Sequence, residues 1–197
     1  RSGTGELRER RLVVVVAGRF RAAASRTDAS IDAGAEVAKV LADIAYKTDA
    51  VLSWPDGPGK GRFRFIVGLG KASVNDPLEA VRIATDTIEA LAGLSADLLT
   101  PISASLGLSR GTVSTVRDAS GRLLRYSPIG AVIEVAEGLA DVGKHGEVLV
   151  AGEVYRLARR DYAFDPESRE VDVRTEAGSV PQVLSAWALR SARTREE

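Results

Sequence analysis

The stretch that decides the fold is YSPIGAVIEVAEGL, at residues 126–139. From Gly130 onward its apolar residues recur at helical spacing, and Gly143 stands where a glycine commonly ends a helix. This pattern predicts a short helix over residues 130–141. Two further segments follow along the chain. GEVLV at residues 146–150 predicts a strand, and EVYRL at residues 153–157 begins a second short helix.

Strand patterns dominate the residues that lie farther upstream. The run LVVVVA at residues 12–17 is rich in β-branched residues and shows no polar alternation, which predicts a central strand covered on both faces. Residues 50–54 and 62–69 predict two strands, and the proline- and glycine-rich residues 55–59 predict the turn between them. This part of the chain is therefore predicted to form a β-hairpin.

Two longer helices are predicted around that hairpin. The first covers residues 31–47 with Ser30 as its N-cap. The second begins at the cap Asp76, which is followed by proline at the next position, and ends before Gly93. Further strands are predicted over residues 102–108, 112–117, 171–174 and 183–189.

This order of elements predicts an α+β fold. A strand, a helix, a hairpin, a helix and a further strand form a ferredoxin-like βαββαβ unit, with helices on one face of its sheet. The C-terminal helix and strands extend that unit. We expect a flexible segment at residues 1–10, one folded domain at 11–190 and a polar tail at 191–197.

Composition excludes several classes of function. Lysine plus arginine equals aspartate plus glutamate, at 27 each, so the broad basic field of a nucleic-acid-binding domain is absent. No apolar run is long enough to insert into a membrane. The chain has no cysteine, which suits a cytoplasmic protein. It has no methionine either, and we expect it to be a segment of a longer protein.

Together, residues 126–139 and 146–157 resemble the class III adenylate/guanylate cyclase catalytic domain. The family pattern runs Y-x-V-I-G-D-T-V-N-x-A-x-R-L and then P-G-E-I-L-V-S-x-x-V-Y. ISASLGLSRG at residues 102–111 stands in place of the family's R-I-G-I-H-x-G. The resemblance covers roughly residues 11–190 and implies the same ferredoxin-like core with a C-terminal extension. The apolar frame matches, whereas the reactive residues do not.

The resemblance implies that both metal-binding carboxylates of the family are missing. Cyclases use two metal ions to hold the nucleotide triphosphate, and two strand-borne aspartates hold the metals. Aligned with the family's F-A-D-I-x-G-F, Gly18 takes the place of the first aspartate. Aligned with I-G-D-G-F, Arg62 takes the place of the second, where its cation would repel a divalent ion. We therefore expect no metal and no cofactor.

The other functional positions of the family are also replaced. The aspartate of the Gly-Asp step falls on Ala131, the transition-state asparagine on Glu134 and its arginine on Gly138. The two base-reading positions fall on Pro58 and Ser127. In class III dimers each subunit supplies one half of a shared site, so the resemblance implies that this chain supplies neither half.

Other candidate sites have simpler interpretations. Glycine-rich residues 57–61 and 68–71 lack the spacing of a phosphate-binding loop and are interpreted as turns. His145 has no partner ligand for a metal and is expected in an exposed loop. Glu134 and Glu137 are interpreted as a solvated helix surface. The arginines that flank the former metal edge are expected to be solvated or dimer-facing, with anion binding as the alternative; they are Arg19, Arg21, Arg26, Arg62 and Arg64.

The sequence therefore predicts a catalytically inactive cyclase-like module that regulates or dimerises a larger signalling protein. We expect it to pair with itself or with a related domain, with Arg62 and Arg64 near Glu134 and Glu137 of the other subunit. One alternative is a sensor that binds a nucleotide or another anion in the former active-site cleft. Another is a cyclase with a non-standard site. Other domains of the parent protein are further expected partners.

Overall fold

The computed structural model describes residues 5–23, 32–175 and 180–192. Four helices are described: α1 (Ala33–Thr48), α2 (Asp76–Asp97), α3 (Val132–Val142) and α4 (Gly152–Ala158). The strands are β1 (Leu7–Ala22), β2 (Val51–Ser53), β3 (Arg62–Val67), β4 (Ile102–Arg117), β5 (Leu123–Ile129), β6 (Val148–Ala151), β7 (Tyr162–Phe164), β8 (Arg169–Val173) and β9 (Gln182–Ala192). None of the helices in these described ranges combines the length and apolarity needed to cross a bilayer.

The strands form a nine-stranded mixed sheet in the order β2-β3-β1-β4-β6-β9-β7, with β5 beside β4 and β8 beside β9. The first four strands of that order are antiparallel to their neighbours, and β4 pairs with β6 in parallel. The elements from β1 to β4 are therefore the predicted βαββαβ unit. The α+β fold class is confirmed.

Both faces of the central strand are covered, as its unbroken apolar run predicts. Val14 and Val16 pack with α1 and α2, whereas Val13 and Val15 pack with α3. All four side chains are at most 1% exposed. The two helices of the βαββαβ unit lie on one face, as predicted, and α3 of the C-terminal extension covers the opposite face.

The second half of the sheet also differs from the prediction. Residues 102–117 form one 16-residue strand instead of a strand pair. Gly111 does not turn the chain: it pairs with Val13, and a Cβ built on it would lie 2.7 Å from Cβ of Val132. Glycine is needed there for close packing of α3. The strand β5 was not predicted, and its Pro128 is tolerated because β5 has only one neighbouring strand.

Helix ends account for the remaining differences. Asp32 caps α1, because its Oδ1 accepts hydrogen bonds from the backbone N–H groups of Gly34 and Ala35. The predicted cap, Ser30, lies outside the described residues. Asp76 is the first residue of α2, not its cap. The helix continues through Gly93 and ends at Asp97, because Leu99 takes the left-handed conformation (φ 50°) that usually follows a helix.

The ends of the folded region extend beyond the predicted bounds. β1 begins at Leu7, and residues 7–10 pair with the end of β4, although their polar composition predicts a flexible segment. β9 likewise continues to Ala192, inside the predicted polar tail. Backbone pairing holds both segments in strands despite their polar side chains. The short strand β7, which has only three residues, gave no periodic signal.

Candidate functional site

The position of the first family aspartate faces a packed aromatic ring. Gly18 on β1 is the antiparallel partner of Phe63 on β3, and a Cβ built on Gly18 would lie 2.0 Å from Cζ of Phe63. Phe63 is 1% exposed and contacts the rings of Phe20, Trp54 and Phe65. The ring cannot move aside without disturbing this cluster. Position 18 therefore has no room for a carboxylate.

The predicted position of the second aspartate, Arg62, lies on the other face of the sheet, among arginines. Positions 18 and 62 therefore cannot direct side chains at one shared metal site, and the β1 residue on the face of Arg62 is Arg19. Arg62 is the antiparallel partner of Arg19, so their side chains share the face that α3 covers. Both approach Oδ1 of Asp141 at the end of α3, Arg19 at 3.5 Å and Arg62 at 3.8 Å. Two arginines and one carboxylate thus meet beside the C-terminal end of α3.

Arg64 continues this arrangement along β3. Its Nε donates a hydrogen bond of 2.8 Å to Oε1 of Glu137 on α3. The side chains are 23% and 26% exposed, so the pair is partly desolvated. Within this chain the partners of Arg62 and Arg64 are Asp141 and Glu137. The contacts of these arginines with Glu134 and Glu137 of another subunit remain a prediction. Glu137 is accordingly not part of a solvated surface.

These residues do not fit the divalent metals that the fold implies. One position carries no side chain and has no space for one, and the other carries a guanidinium group. Within the described ranges, no three histidine, aspartate or glutamate side chains come close enough to hold a metal ion. No catalytic step through a metal is therefore derived for this chain.

The family's transition-state positions lie on α3. Ala131 is the residue before the helix and forms no side-chain cap. Glu134 is in the first turn, and its buried Oε2 has no hydrogen-bond partner among the described residues. Gly138 lies against β8: a Cβ built on it would be 2.9 Å from Cγ2 of Val173, which is 1% exposed. An arginine at position 138 would have to displace this strand.

The two base-reading positions lie apart from these residues. Pro58 is exposed in the turn between β2 and β3, and Ser127 is exposed on β5 opposite Ser114. The glycine-rich segments at 57–61 and 68–71 are turns and bends, as predicted. The fold thus brings Gly18 and Arg62 to neighbouring strands but does not bring Pro58 and Ser127 into a common site.

A small cavity lies beside Arg19 that the sequence did not reveal. It has a volume of about 190 Å³ and lies between the ends of β1, β4 and α3. Its lining includes Arg19, Arg21, Ser103 and His145. His145 is exposed, as predicted, and its Nδ1 lies 3.1 Å from Oγ of Ser103. Arg26, the other arginine of the predicted cluster, lies outside the described residues.

An ion pair anchors the loop that contains His145. Glu147 accepts hydrogen bonds from the backbone N–H of Lys144 at 2.9 Å and from Nη1 of Arg169 at 3.0 Å. Burial alone would raise the pKa of Glu147, but these hydrogen bonds and the positive charge of Arg169 outweigh it, and the pKa is lowered. Glu147 is the glutamate of the GEVLV segment, and its role here is to hold the start of β6.

Comparison with solved structures places this fold among nucleotide cyclase domains. The chain is similar to the adenylyl cyclase CyaB of P. aeruginosa, with a TM-score of 0.68 and 16% identity over 97% of this chain and 100% of that one. It is similar to the guanylate cyclase domain of RhGC from Catenaria anguillulae, solved with GTP, with a TM-score of 0.69 and 15% identity over 94% and 100%.

A third similar structure is a dimeric guanylyl cyclase domain of the RhoGC fusion protein from Blastocladiella emersonii, with a TM-score of 0.67 and 16% identity over 95% of this chain and 98% of that one. No protein-family model matches the sequence, and comparison with curated proteins finds no match. The structural similarity spans nearly the whole chain. The protein therefore has the fold of adenylyl and guanylyl cyclase catalytic domains, as the sequence resemblance predicts.

Proposed function

We propose that this chain is a catalytically inactive cyclase-homology domain that acts as a regulatory or dimerisation module of a larger signalling protein. The observation that carries the proposal is the pairing of Arg62 with Arg19, which share one face of the sheet and both approach Asp141. A missing aspartate alone could be compensated by another ligand nearby. Two guanidinium groups on the face of the predicted metal site repel a divalent cation and leave the nearby carboxylate already paired.

Two further contacts support the proposal. Gly18, at the predicted position of the first aspartate, is closed by the ring of Phe63. Gly138, at the position of the transition-state arginine, is closed by Val173. Positions 18 and 138 are thus closed by core side chains, and position 62 carries an ion-paired arginine. The resemblance expects metal-binding and transition-state side chains at these three positions. The rest of the fold is intact around these positions. This combination is typical of a domain that functions through contacts of its surface and not through catalysis.

We assign association to the exposed edge of β5. β5 pairs only with β4 and exposes Leu124 and Ile129 by 45% and 40%. An open strand edge with apolar side chains favours pairing with another domain. The proposed partner is a second copy or a related cyclase-like domain, in the cytoplasm.

Sedimentation tests this assignment. We expect the chain to show weak, concentration-dependent self-association at tens of micromolar in low salt. Ile129→Glu should abolish it, because a charge would be buried in the interface. Val74→Glu is the matched control: Val74 is 91% exposed on the loop before α2 and should leave association unchanged. A chain that is strictly monomeric, with or without Ile129→Glu, would contradict self-association and leave only pairing with a related domain.

A further inference from the structure

The cavity between the ends of β1, β4 and α3 carries an excess of positive charge. Arg19 and Arg21 line the cavity with two positive charges and Asp141 lines it with one negative charge, so the excess is one. Arg62 also approaches Asp141 but does not line the cavity. Asp141 is shared between Arg19 and Arg62. Among the described residues, Arg21 has no ion pair, and its guanidinium is therefore available to an anion from outside the chain.

The sheet sets the spacing of the donors around this cavity. Arg21 is the antiparallel partner of Ser103, and Arg19 is the partner of Ser105. The hydroxyl of Ser105 is already used, because it donates a 2.6 Å hydrogen bond to the carbonyl of Ala140. The hydroxyl of Ser103 contacts only the His145 ring and lines the cavity. Two guanidinium groups, a hydroxyl and an imidazole therefore converge on one space.

The size of the space restricts the ligand. Its volume of about 190 Å³ is below the range of roughly 300–1,000 Å³ that encloses drug-sized molecules. A whole nucleotide would therefore not be enclosed, whereas a single phosphate group would. Guanidinium groups match phosphate oxygens with paired hydrogen bonds, and a phosphate monoester carries up to two negative charges.

The helix dipole of α3 opposes the binding of an anion in this cavity, but its partial charge is smaller than the positive surplus of the side chains. The C-terminal end of α3 carries a partial negative charge of roughly half a unit. The surplus of one positive charge exceeds it about twofold. We propose that this cavity, which we call the Arg21 cavity, binds one phosphate group, as inorganic phosphate or as the exposed phosphate of a larger molecule. This goes beyond the proposed function, since an inactive module requires no ligand.

The base-reading positions make no contribution to this site. Ser127 pairs with Ser114 on β4, eleven residues along the same strand from Ser103. At about 3.4 Å per residue this separation is roughly 37 Å. A ligand in the Arg21 cavity is therefore recognised by its phosphate and not by a purine held at Ser127 of the same chain.

Calorimetric titration of the whole chain with inorganic phosphate, at constant ionic strength, tests the proposal. We expect saturable binding to the wild-type chain, weakened about tenfold or more by Arg21→Gln, because a charged hydrogen-bond donor is lost. Arg21→Lys keeps the charge and loses the paired geometry, so its affinity should lie between the two. Arg160→Gln is the control: Arg160 is exposed, has no ion pair among the described residues and does not line the cavity.

A second arm distinguishes the two sources of phosphate. Adenosine monophosphate should compete with inorganic phosphate, and adenosine should not. Tighter binding of the nucleotide indicates a larger natural ligand, and equal binding indicates phosphate alone. The proposal is overturned if Arg21→Gln binds phosphate as well as Arg160→Gln, or if wild-type chain shows no saturable binding up to about 20 mM phosphate, roughly twentyfold above a millimolar dissociation constant. Neither result depends on whether the chain turns over nucleotides.

Discussion

Nε of Arg64 on β3 lies 2.8 Å from Oε1 of Glu137 on α3, within one chain. This ion pair joins the central sheet to the helix that covers it. Arg62 and Asp141 repeat the arrangement nearby. A basic strand and an acidic helix thus stabilise each other at the edge of the sheet where the sequence resemblance predicts the replaced metal ligands.

Breaking this pair should destabilise the fold. We expect Arg64→Gln to lower the free energy of unfolding by about 1–2 kcal/mol, because a partly desolvated charge on Glu137 loses its partner. Urea unfolding measures the loss, and a cycle with Glu137→Gln gives the coupling energy. The pair Lys47–Asp43, with side chains 68% and 58% exposed, is the control and should couple by no more than about 0.5 kcal/mol. Equal coupling in both pairs would contradict a structural role for Arg64.

Adding a single methyl group at position 18 should also be costly. Gly18→Ala places Cβ 2.0 Å from the ring of Phe63, and such overpacking costs about 1–3 kcal/mol or more. Denaturant unfolding measures this loss. Gly93→Ala is the control, because nothing lies within 4 Å of its added Cβ near the C-terminal end of α2. That substitution should stabilise the chain by about 0.5–1 kcal/mol.

A second substitution separates crowding from other effects of Gly18→Ala. Phe63→Leu alone should destabilise the chain by leaving a cavity. Combined with Gly18→Ala, the smaller side chain relieves the overlap, so the two losses should sum to more than the loss in the double variant. Strict additivity would show that the Phe63 ring is not the obstacle. For the same reason, Gly18→Asp with Arg62→Asp should fail to create a metal site.

Restoring the family residues on α3 should have unequal effects. Gly138→Arg introduces a side chain against Val173 and should cost about 1–3 kcal/mol while loosening β8 from α3. Glu134→Asn should be nearly neutral, because it removes a carboxylate whose Oε2 has no partner. Thermal unfolding of the two variants, with hydrogen exchange on β8, tests this contrast. A stable Gly138→Arg variant with unchanged exchange would contradict the packing described here.

The hydrogen-bonded carboxylate of Glu147 predicts acid sensitivity. Its pKa is lower in the folded chain than its ordinary value, so its contribution to stability is present above the ordinary value and is lost as pH falls through the folded value. Below about pH 4.3, the wild-type chain should therefore lose stability faster than Arg169→Gln, in which that pKa is less depressed. Urea midpoints at pH 7 and pH 3 measure the difference. Parallel losses would assign the acid sensitivity to other carboxylates.

The apolar pattern of the sequence was sufficient to predict the βαββαβ unit, because burial on both faces of residues 12–17 leaves a recognisable run. β5 was missed because Pro128 argues against a strand, and only its edge position explains its presence. The alternation of Arg62 and Arg64 with buried phenylalanines signals one charged strand face. Its pairing with α3 could not be predicted, since it depends on α3 crossing that face. The Arg21 cavity likewise depends on where three elements end.

The most direct test of the central claim is turnover. Purified chain is incubated with GTP and with ATP, each with magnesium and with manganese, beside an active guanylyl cyclase domain and a blank without protein. Because position 18 is filled by Phe63 and position 62 is a cation, we expect no cyclic nucleotide above the blank. Cyclic nucleotide formed above the blank by wild-type chain, and lost in Arg62→Ala, would contradict the account.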